Sequence, residues 1–204
     1  MTKLNQELEV KFFITKPEAI IKRLETHHAE CIQTRTHEFN LRFDTPDMQL
    51  TSEKRVLRLR QDTGTRLTYK GPGKTDKGVH AREEIEFTVS DYQKAKAFLF
   101  ALGYQVSMSY EKYRTVYQLQ GAEISLDEMP FGYFMEIEVE DPELIHSLSK
   151  LLHLNWDARI LTSYSELFET VKKNLNLTFR DLTFDNFDNL SVSPQDLEIQ
   201  PANS

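Results

Sequence analysis

Two carboxylates and an ammonium group share one face of the first predicted strand. In residues 6–12, Glu7, Glu9 and Lys11 alternate with apolar residues, and side chains on a strand change face at every residue. The charged groups therefore line one surface while the apolar groups pack on the other. A set of this kind can hold a charged guest, although a single strand with a solvated face gives the same pattern.

The alternation recurs along most of the chain, and the recurrence makes it informative. The polar residues at alternate positions of later segments are Arg58 and Arg60, Thr68 and Lys70, Arg82, Glu84 and Glu86, Lys112 and Arg114, and Glu136 and Glu138. If these segments pair in one antiparallel sheet, charges of both signs share a common surface. Closing that sheet with its charges inward gives a barrel that must hold a charged guest, because buried ions are costly unless they are paired or bound to metal.

Helices are predicted around this barrel from their start signals. The signals are Thr15 and Glu18 with Pro17, Ser90 and Gln93, Asp141 with Pro142, and Ser163 and Glu166. None of these helices carries a cluster of catalytic residue types, so we interpret them as an outer cover. Residues 55–87 have only turn chemistry between their strands, which favours antiparallel hairpins. The predicted fold class is α+β: an antiparallel closed β-barrel, or tunnel, with a charged interior, surrounded by helices.

The composition disfavours several classes of partner. The 204 residues carry a formal net charge of -7, which argues against nucleic acid as a main partner. Cys31 is the single cysteine, so an intramolecular disulfide is impossible. We recognise neither a signal peptide nor an apolar run of the ~20 residues needed to cross a membrane. The sequence therefore predicts a soluble, cytoplasmic protein without a membrane partner.

Two regions are predicted along the chain. Residues 1–174 form one compact domain, and residues 175–204 form an acidic C-terminal tail. Residues 178–204 contain one cation, Arg180, against five acids, which is typical of a disordered segment. Phe179, Phe184 and Phe187 favour docking of the first half of this tail on the barrel or on a neighbouring subunit, with disorder of the rest.

Taken in order, the charged segments resemble those of the CYTH superfamily, the triphosphate tunnel metalloenzymes. That superfamily includes class IV adenylyl cyclases, thiamine triphosphatases and inorganic triphosphatases, and its N-terminal Glu-x-Glu-x-Lys strand is matched by Glu7, Glu9 and Lys11. The later segments fall in the family's order, with Asp127 ahead of Glu136 and Glu138. The resemblance covers roughly residues 5–170. It implies a tunnel that binds a triphosphate.

The resemblance also implies roles for the charged residues. The main candidates for holding a divalent metal, Mg2+ or Mn2+, are Glu7, Glu9, Glu136 and Glu138, with Glu84, Glu86 and Asp127 as further or indirect ligands. The residues implied to grip the triphosphate are Lys11, Arg58, Arg60, Lys70, Arg82, Lys112 and Arg114. Arginine matches phosphate oxygens in pairs, and hard divalent metals select carboxylates. Lys70 adjoins a loop and Asp127 precedes a turn, so a purely structural role is an alternative for both.

The leading hypothesis is metal-dependent hydrolysis of a small-molecule triphosphate, inorganic or on a small organic carrier. Lys11 is the preferred catalytic candidate, because it shares a face with Glu7 and Glu9 and could orient the attacking water; a phosphate-binding role is equally consistent. A class IV-like adenylyl cyclase is the first alternative, although Asn5 and Gln6 replace the His-Phe pair that precedes the acidic motif in some cyclases. A binding module without turnover is the second. A homodimer is possible.

Overall fold

A computed structural model describes residues 6–76, 79–139 and 141–203, with the backbone alone at residues 6, 7, 74–76 and 79–81. The strands are β1 (Gln6–Ile14), β2 (Glu30–Asp44), β3 (Val56–Gln61), β4 (Thr65–Lys70), β5 (Lys74–Asp76), β6 (Val79–Thr88), β7 (Gln105–Leu119), β8 (Ala122–Met129), β9 (Gly132–Val139) and β10 (Arg159–Ile160). The helices are α1 (Pro17–Thr26), α2 (Gln49–Ser52), α3 (Tyr92–Ala101), α4 (Pro142–Leu151) and α5 (Tyr164–Leu175). The α+β class predicted from the sequence is confirmed.

The strands form one antiparallel, strongly curled sheet. Its order is β10-β1-β9-β8-β7-β2-β3-β4-β6-β5, and β1 also pairs with β6. This extra pairing runs over four positions, from Gln6 opposite Glu83 to Glu9 opposite His80, and it brings the two ends of the order together. The predicted closure of the sheet into a tunnel is therefore seen only as this short meeting of the two sides of the sheet.

Strand register places the charged residues on the inner face of the sheet. Lys11 of β1 is paired with Glu136 of β9, and Arg114 of β7 with Asp127 of β8. The intervening residues point outward, where Val10 and Phe12 are 1% and 0% exposed. The period of two thus fixes the face of each residue, as the sequence pattern predicts.

Helices cover much of the outer face through separate apolar clusters. A first cluster packs α1 and α4 on β1, β8 and β9 through residues such as Ile20, Ile145 and Ile137. Another packs Leu99 of α3 on β2 and β3. The cover is incomplete, since Phe87 of β6, Phe98 of α3 and Leu102 just after α3 are more than half exposed.

Helix starts match the predictions in part. Ser163 and Glu166 form the predicted capping box of α5, and Asp141 caps α4 ahead of its proline. The box predicted at the start of α1 is wrong, because Lys16 is the N-cap residue and makes no side-chain cap. The Thr15 backbone N–H and hydroxyl instead bond to Asn203 (2.8 and 3.0 Å).

The start of α3 differs from its prediction in the same way. Asp91, rather than the predicted Ser90, accepts the hydrogen bond from Lys94 N at 3.0 Å. A carboxylate at this position satisfies one of the unpaired N–H groups of the first turn, as a serine would. The predicted helix itself is present, and it ends before Gly103, which has a φ of +89°.

The C-terminal tail is packed along its length, including the part predicted to be disordered. Leu182 pairs with the β7 edge through its N–H and C=O, bonded to Ser109 O and Glu111 N. Further along, Ala202 N–H donates to Phe13 O at 3.0 Å, so the chain end covers β1 beyond β10. The acidic composition suggested solvent exposure, but several apolar residues spaced between the acids are buried. Leu197, for example, is 1% exposed.

A second apolar cluster joins this tail and α5 to one end of the tunnel. It includes Phe131, Phe134, Phe168 and Phe187, all at most 5% exposed. Phe134 lies on the inner face of β9, so the interior changes from charged to apolar where α5 packs. Within the described ranges, no helix is long and apolar enough to span a membrane.

Candidate active site

The curled sheet, together with α5 and the tail, lines an open cavity of about 1490 Å³. Within the described part of the chain, the predicted site residues that line this cavity are Glu9, Lys11, Arg58, Arg60, Lys70, Arg82, Glu84, Glu86, Lys112, Arg114, Glu136 and Glu138. Its described lining holds twelve basic and eight acidic residues in all, a formal charge of +4, within a chain of -7. The cavity is thus a basic compartment in an acidic protein, suited to a polyanion.

A buried ion network lies at the inner end of the cavity. Lys11 Nζ lies 2.9 Å from Glu136 Oε1, and Arg114 donates to the other oxygen of the same carboxylate. Burial opposes the charge on Lys11, but Glu136 and Glu9 outweigh it and raise the pKa of Lys11 above its usual 10.5. Burial likewise opposes the charge on Glu136, but Lys11 and Arg114 keep its pKa well below the usual range. Both groups are therefore charged at neutral pH.

Asp127 lies behind this network, in the wall of the tunnel. It is 1% exposed and does not line the cavity. Arg114 donates to both of its oxygens at 2.6 Å, and Lys112 Nζ donates to Oδ2 at 2.9 Å. The Tyr164 hydroxyl donates to the same Oδ2 at 2.8 Å. Asp127 thus orients two cavity cations from within β8, ahead of the turn that follows this strand.

Tyr164 brings α5 into the site. Its ring lies under Lys11, whose Nζ is 4.5 Å from the ring centroid, and it packs edge-on against Phe134. Burial, with Asp127 and Glu136 adding to it, raises the pKa of Tyr164 well above 10. The phenol is therefore neutral and acts as a hydrogen-bond donor.

Arg58 and Arg60 form a second network across β3, β4 and β6. Arg60 lies 3.0 Å from Glu86, and Arg58 donates to Thr68 (3.2 Å) and to the Tyr110 hydroxyl (3.3 Å). Burial opposes the charge on Arg58, yet Tyr110 and Glu86 raise its pKa further. Both guanidinium groups keep a fixed charge at the cavity wall.

Lys70 of β4 and Arg82 and Glu84 of β6 line the cavity together. Lys70 Nζ is 2.6 Å from Glu84 Oε2, and Arg82 donates to Gly71 O at 2.9 Å. Lys70 is thus part of a cross-strand ion pair that lines the cavity. The side chain of Glu7 lies outside the described residues, although its backbone is paired with that of Arg82.

Three glutamates lie abreast on neighbouring strands of the inner face. Glu9 of β1 is paired with Glu138 of β9, which is paired with Glu123 of β8. Like charges in direct cross-strand positions are destabilising unless a cation relieves them, and oxygen ligands suit Mg2+ or Mn2+. The donor chemistry therefore fits a divalent metal. As the described side chains stand, no three acids, histidines or cysteines are gathered closely enough to hold one.

Several cavity residues lie beyond those predicted. Glu38, Asn40 and Arg42 alternate with apolar residues on β2 and face inward, and Arg42 lines the cavity. Burial opposes the charge on Glu38, but Lys112, Arg114 and Arg60 lower its pKa to about 2. The alternation in residues 37–43 is the same signal as elsewhere and could have identified these three. The cavity residues from α5 and the tail have no such signal, because only the packing of distant segments places them here.

A family comparison identifies the chain. The model of the CYTH domain matches residues 5–161. The chain belongs to the CYTH family. A candidate adenylate cyclase of Methanocaldococcus jannaschii is 28% identical over an alignment of 172 positions, and the match covers 79% of this chain and 97% of that protein. The predicted resemblance is confirmed.

Several solved structures have the same fold as this chain. A candidate adenylate cyclase from Vibrio parahaemolyticus has a TM-score of 0.70 at 23% identity, covering 80% of this chain and 97% of that one. The PH1012 protein of Pyrococcus horikoshii has a TM-score of 0.66 at 26% identity, covering 78% and 98%. A candidate adenylyl cyclase from Hippeastrum, described as having a dominant triphosphatase activity, has a TM-score of 0.61 at 20% identity, covering 80% and 95%.

Proposed function

We propose that this CYTH protein is a metal-dependent triphosphatase that hydrolyses inorganic tripolyphosphate or a small organic triphosphate. The observation that carries the proposal is the set of largely buried arginines and lysines, interleaved with carboxylates, that lines one cavity inside the curled sheet. A triphosphate carries several negative charges and needs fixed cations, and a protein that only bound it would gain nothing from carboxylates in the same cavity. The triphosphatase activity described for the Hippeastrum neighbour supports the same class of reaction.

The cavity cations would bind and orient the substrate. Arg58 and Arg60 present planar guanidinium groups that match phosphate oxygens in pairs, while Lys112 and Arg114 are held by Asp127 from behind. Because these side chains are fixed before substrate arrives, they can stabilise the charge that spreads over the phosphoryl oxygens during in-line attack by water.

Proton transfer is not assigned to Lys11 or to Glu136. The raised pKa of Lys11 keeps it protonated, so it can donate a hydrogen bond to a phosphate oxygen or to the attacking water but cannot take a proton. The lowered pKa of Glu136 makes it a weak base. These residues therefore act by position and charge.

Glu9 and Glu138 are the described carboxylates best placed to hold a divalent metal, with Glu7 as the predicted third ligand. When bound, Mg2+ or Mn2+ would neutralise charge on the phosphoryl oxygens. Glu84, Glu86 and Glu136 lie in ion pairs with cavity cations, so we propose that they position those cations instead.

The decisive experiment follows phosphate release and cyclic AMP from a panel of triphosphates, with Mg2+ or Mn2+ titrated. We expect phosphate release that requires metal, lower turnover in Glu9→Gln and a higher KM in Arg60→Ala. Arg35→Ala is the matched control, because Arg35 is exposed on β2 and pairs with Glu128. Normal kinetics in both site variants would refute the site assignment.

The competing function is an adenylyl cyclase, which the description of the Methanocaldococcus jannaschii relative favours. In that reaction the ribose 3'-hydroxyl of ATP replaces water and pyrophosphate leaves. It needs the same triphosphate cradle, so the product decides. Cyclic AMP as the main product from ATP would replace our proposal.

A further inference from the structure

The mouth of the cavity carries basic residues that the proposed triphosphate grip does not use. These lining residues, here called the basic rim, are Arg42, Lys54, Arg55, Lys172 and Arg180. Glu166 and Glu169 are the acids of the described lining nearest to them along the chain, on α5. Two further acids pair with the rim from outside the lining, Glu53 with Arg55 and Asp181 with Arg180, so the five basic residues exceed these four acids by one positive charge. Lys172 and Arg180 also lie beyond residue 161, where the family match ends.

Register places Arg42 of the basic rim level with Arg58, and Lys54 and Arg55 beyond the start of β3. Arg42 is paired with Arg58 across β2 and β3, and β3 begins at Val56, so Lys54 and Arg55 come just before the strand. Arg42 Nη1 donates to Ser165 Oγ of α5 at 2.6 Å. The basic rim is thus where the sheet, α5 and the tail meet.

The Arg180 side chain is 62% exposed, and an ion pair with its neighbour orients its guanidinium group. Its Nε and Nη2 donate to the two oxygens of Asp181 at 3.0 and 2.8 Å. Asp181 in turn accepts a hydrogen bond from Ser109 N of β7 at 2.7 Å. An arginine has five N–H donors, so this pairing leaves the Nη1 donors of Arg180 for a ligand.

At the opposite end of the tunnel, the described lining has more acidic than basic residues. A smaller cavity of about 260 Å³ shares Arg60, Glu86, Arg114 and Glu123 with the main one. The charged residues of its described lining are Arg60, Arg66 and Arg114 against Glu38, Asp62, Glu86 and Glu123. A polyanion longer than the triphosphate held by the inner cations, here called the inner grip, would meet net negative charge at this smaller cavity and net positive charge at the basic rim. Its extra length would therefore extend toward the rim.

We propose that the basic rim binds a fourth phosphate, so that this site prefers a linear tetraphosphate to a triphosphate. The inference rests on the proposed function for the placement of the first three phosphates in the inner grip. The shared chemistry is a chain of four phosphates, which inorganic tetraphosphate and a nucleoside tetraphosphate both offer.

Calorimetric titration without metal measures the preference for four phosphates as a binding affinity, independently of turnover. We expect the wild-type chain to bind tetrapolyphosphate about tenfold more tightly than tripolyphosphate, as charge-assisted contacts to one further phosphate allow. The double variant Lys172→Gln/Arg180→Gln should bring this ratio close to one. The control Lys22→Gln/Lys94→Gln changes the net charge equally at exposed sites of α1 and α3 and should keep the ratio. Adenosine 5'-tetraphosphate against ATP forms a second arm, which shows whether the preference extends to an esterified chain.

The outcomes separate this proposal from the proposed function. A wild-type affinity ratio near one in both arms would overturn the basic rim as a fourth-phosphate site. The same conclusion would follow if the double variant weakened the binding of both anions by the same factor. If the ratio and its loss are observed but no anion is hydrolysed with Mg2+ or Mn2+, the triphosphatase proposal fails while the rim stands.

Discussion

At the scale of single residues, Asp127 connects stability to function. It is the buried partner of Lys112, Arg114 and the Tyr164 hydroxyl. We predict that Asp127→Asn lowers the free energy of unfolding by about 3 kcal/mol or more, because removing one partner leaves buried cations uncompensated. Urea unfolding measures this, and a rise in substrate KM should accompany it. Glu128→Gln, at the next position and facing exposed Arg35, is the control; an equal loss in both variants would contradict the assignment.

Glu38 gives a prediction on pH. Its pKa falls from 4.5 to about 2 on folding, so it stabilises the folded state above pH 4.5, and that contribution is lost as the pH falls toward 2. The shift corresponds to about 3 kcal/mol. We predict that the wild type exceeds Glu38→Gln in unfolding free energy by this order at pH 7, and that the gap shrinks between pH 4.5 and pH 2. A gap that is constant with pH would show that Glu38 acts through packing alone.

At the scale of elements, the tail is a structural part of the domain. Phe187 is 5% exposed and contacts the rings of Phe131, Phe168 and Phe179. We predict that Phe187→Ala costs about 3 to 5 kcal/mol of unfolding free energy, the range for truncating a buried aromatic. Phe98→Ala, at a site 60% exposed, should change it by less than about 0.5 kcal/mol. Similar, small losses in both would mean that the tail contributes no stability.

The same tail shows where sequence reasoning stops at this scale. The inner face of β1 could be predicted because Glu9 and Lys11 obey a period that the backbone enforces. The fate of the last residues could not, because composition describes the average environment of a segment and not its partners. Asn203 bonds to Thr15, 188 positions away, and this one contact overrides both the predicted disorder and the predicted cap of α1.

At the scale of the whole molecule, the sequence predicts which residues face the cavity but not how deeply each one is buried. Alternation places Asp127 and Arg60 on the same inner face, yet one is buried in the wall and the other lines the space. That difference depends on the curl of the sheet and on where Tyr164 of α5 packs. Alternation predicts an interior of mixed charge, with seven bases and seven acids. It could not predict the residues that α5 and the tail add to the basic rim, because those segments reach the cavity only through packing.

The curled sheet should make the molecule unfold as one cooperative unit. Consecutive residues of β1 belong to separate clusters, with Phe12 packed near Trp156 in the first and Phe13 against Phe134 in the second. Neither cluster can open without disturbing β1 and its partners. Trp156 is the single tryptophan of the chain, so its fluorescence reports on the first cluster, whereas far-UV circular dichroism reports on the whole. We predict coincident urea transitions by both probes.

Phe187→Ala provides the stricter test of this cooperativity, because Phe187 belongs to the second cluster. Although the substitution lies in the other cluster, it should move the Trp156 midpoint by the same amount as the circular dichroism midpoint. A shift seen by circular dichroism alone would mean that α5 and the tail unfold as a separate unit. In that case the mouth of the cavity could open while the inner ion network stays folded.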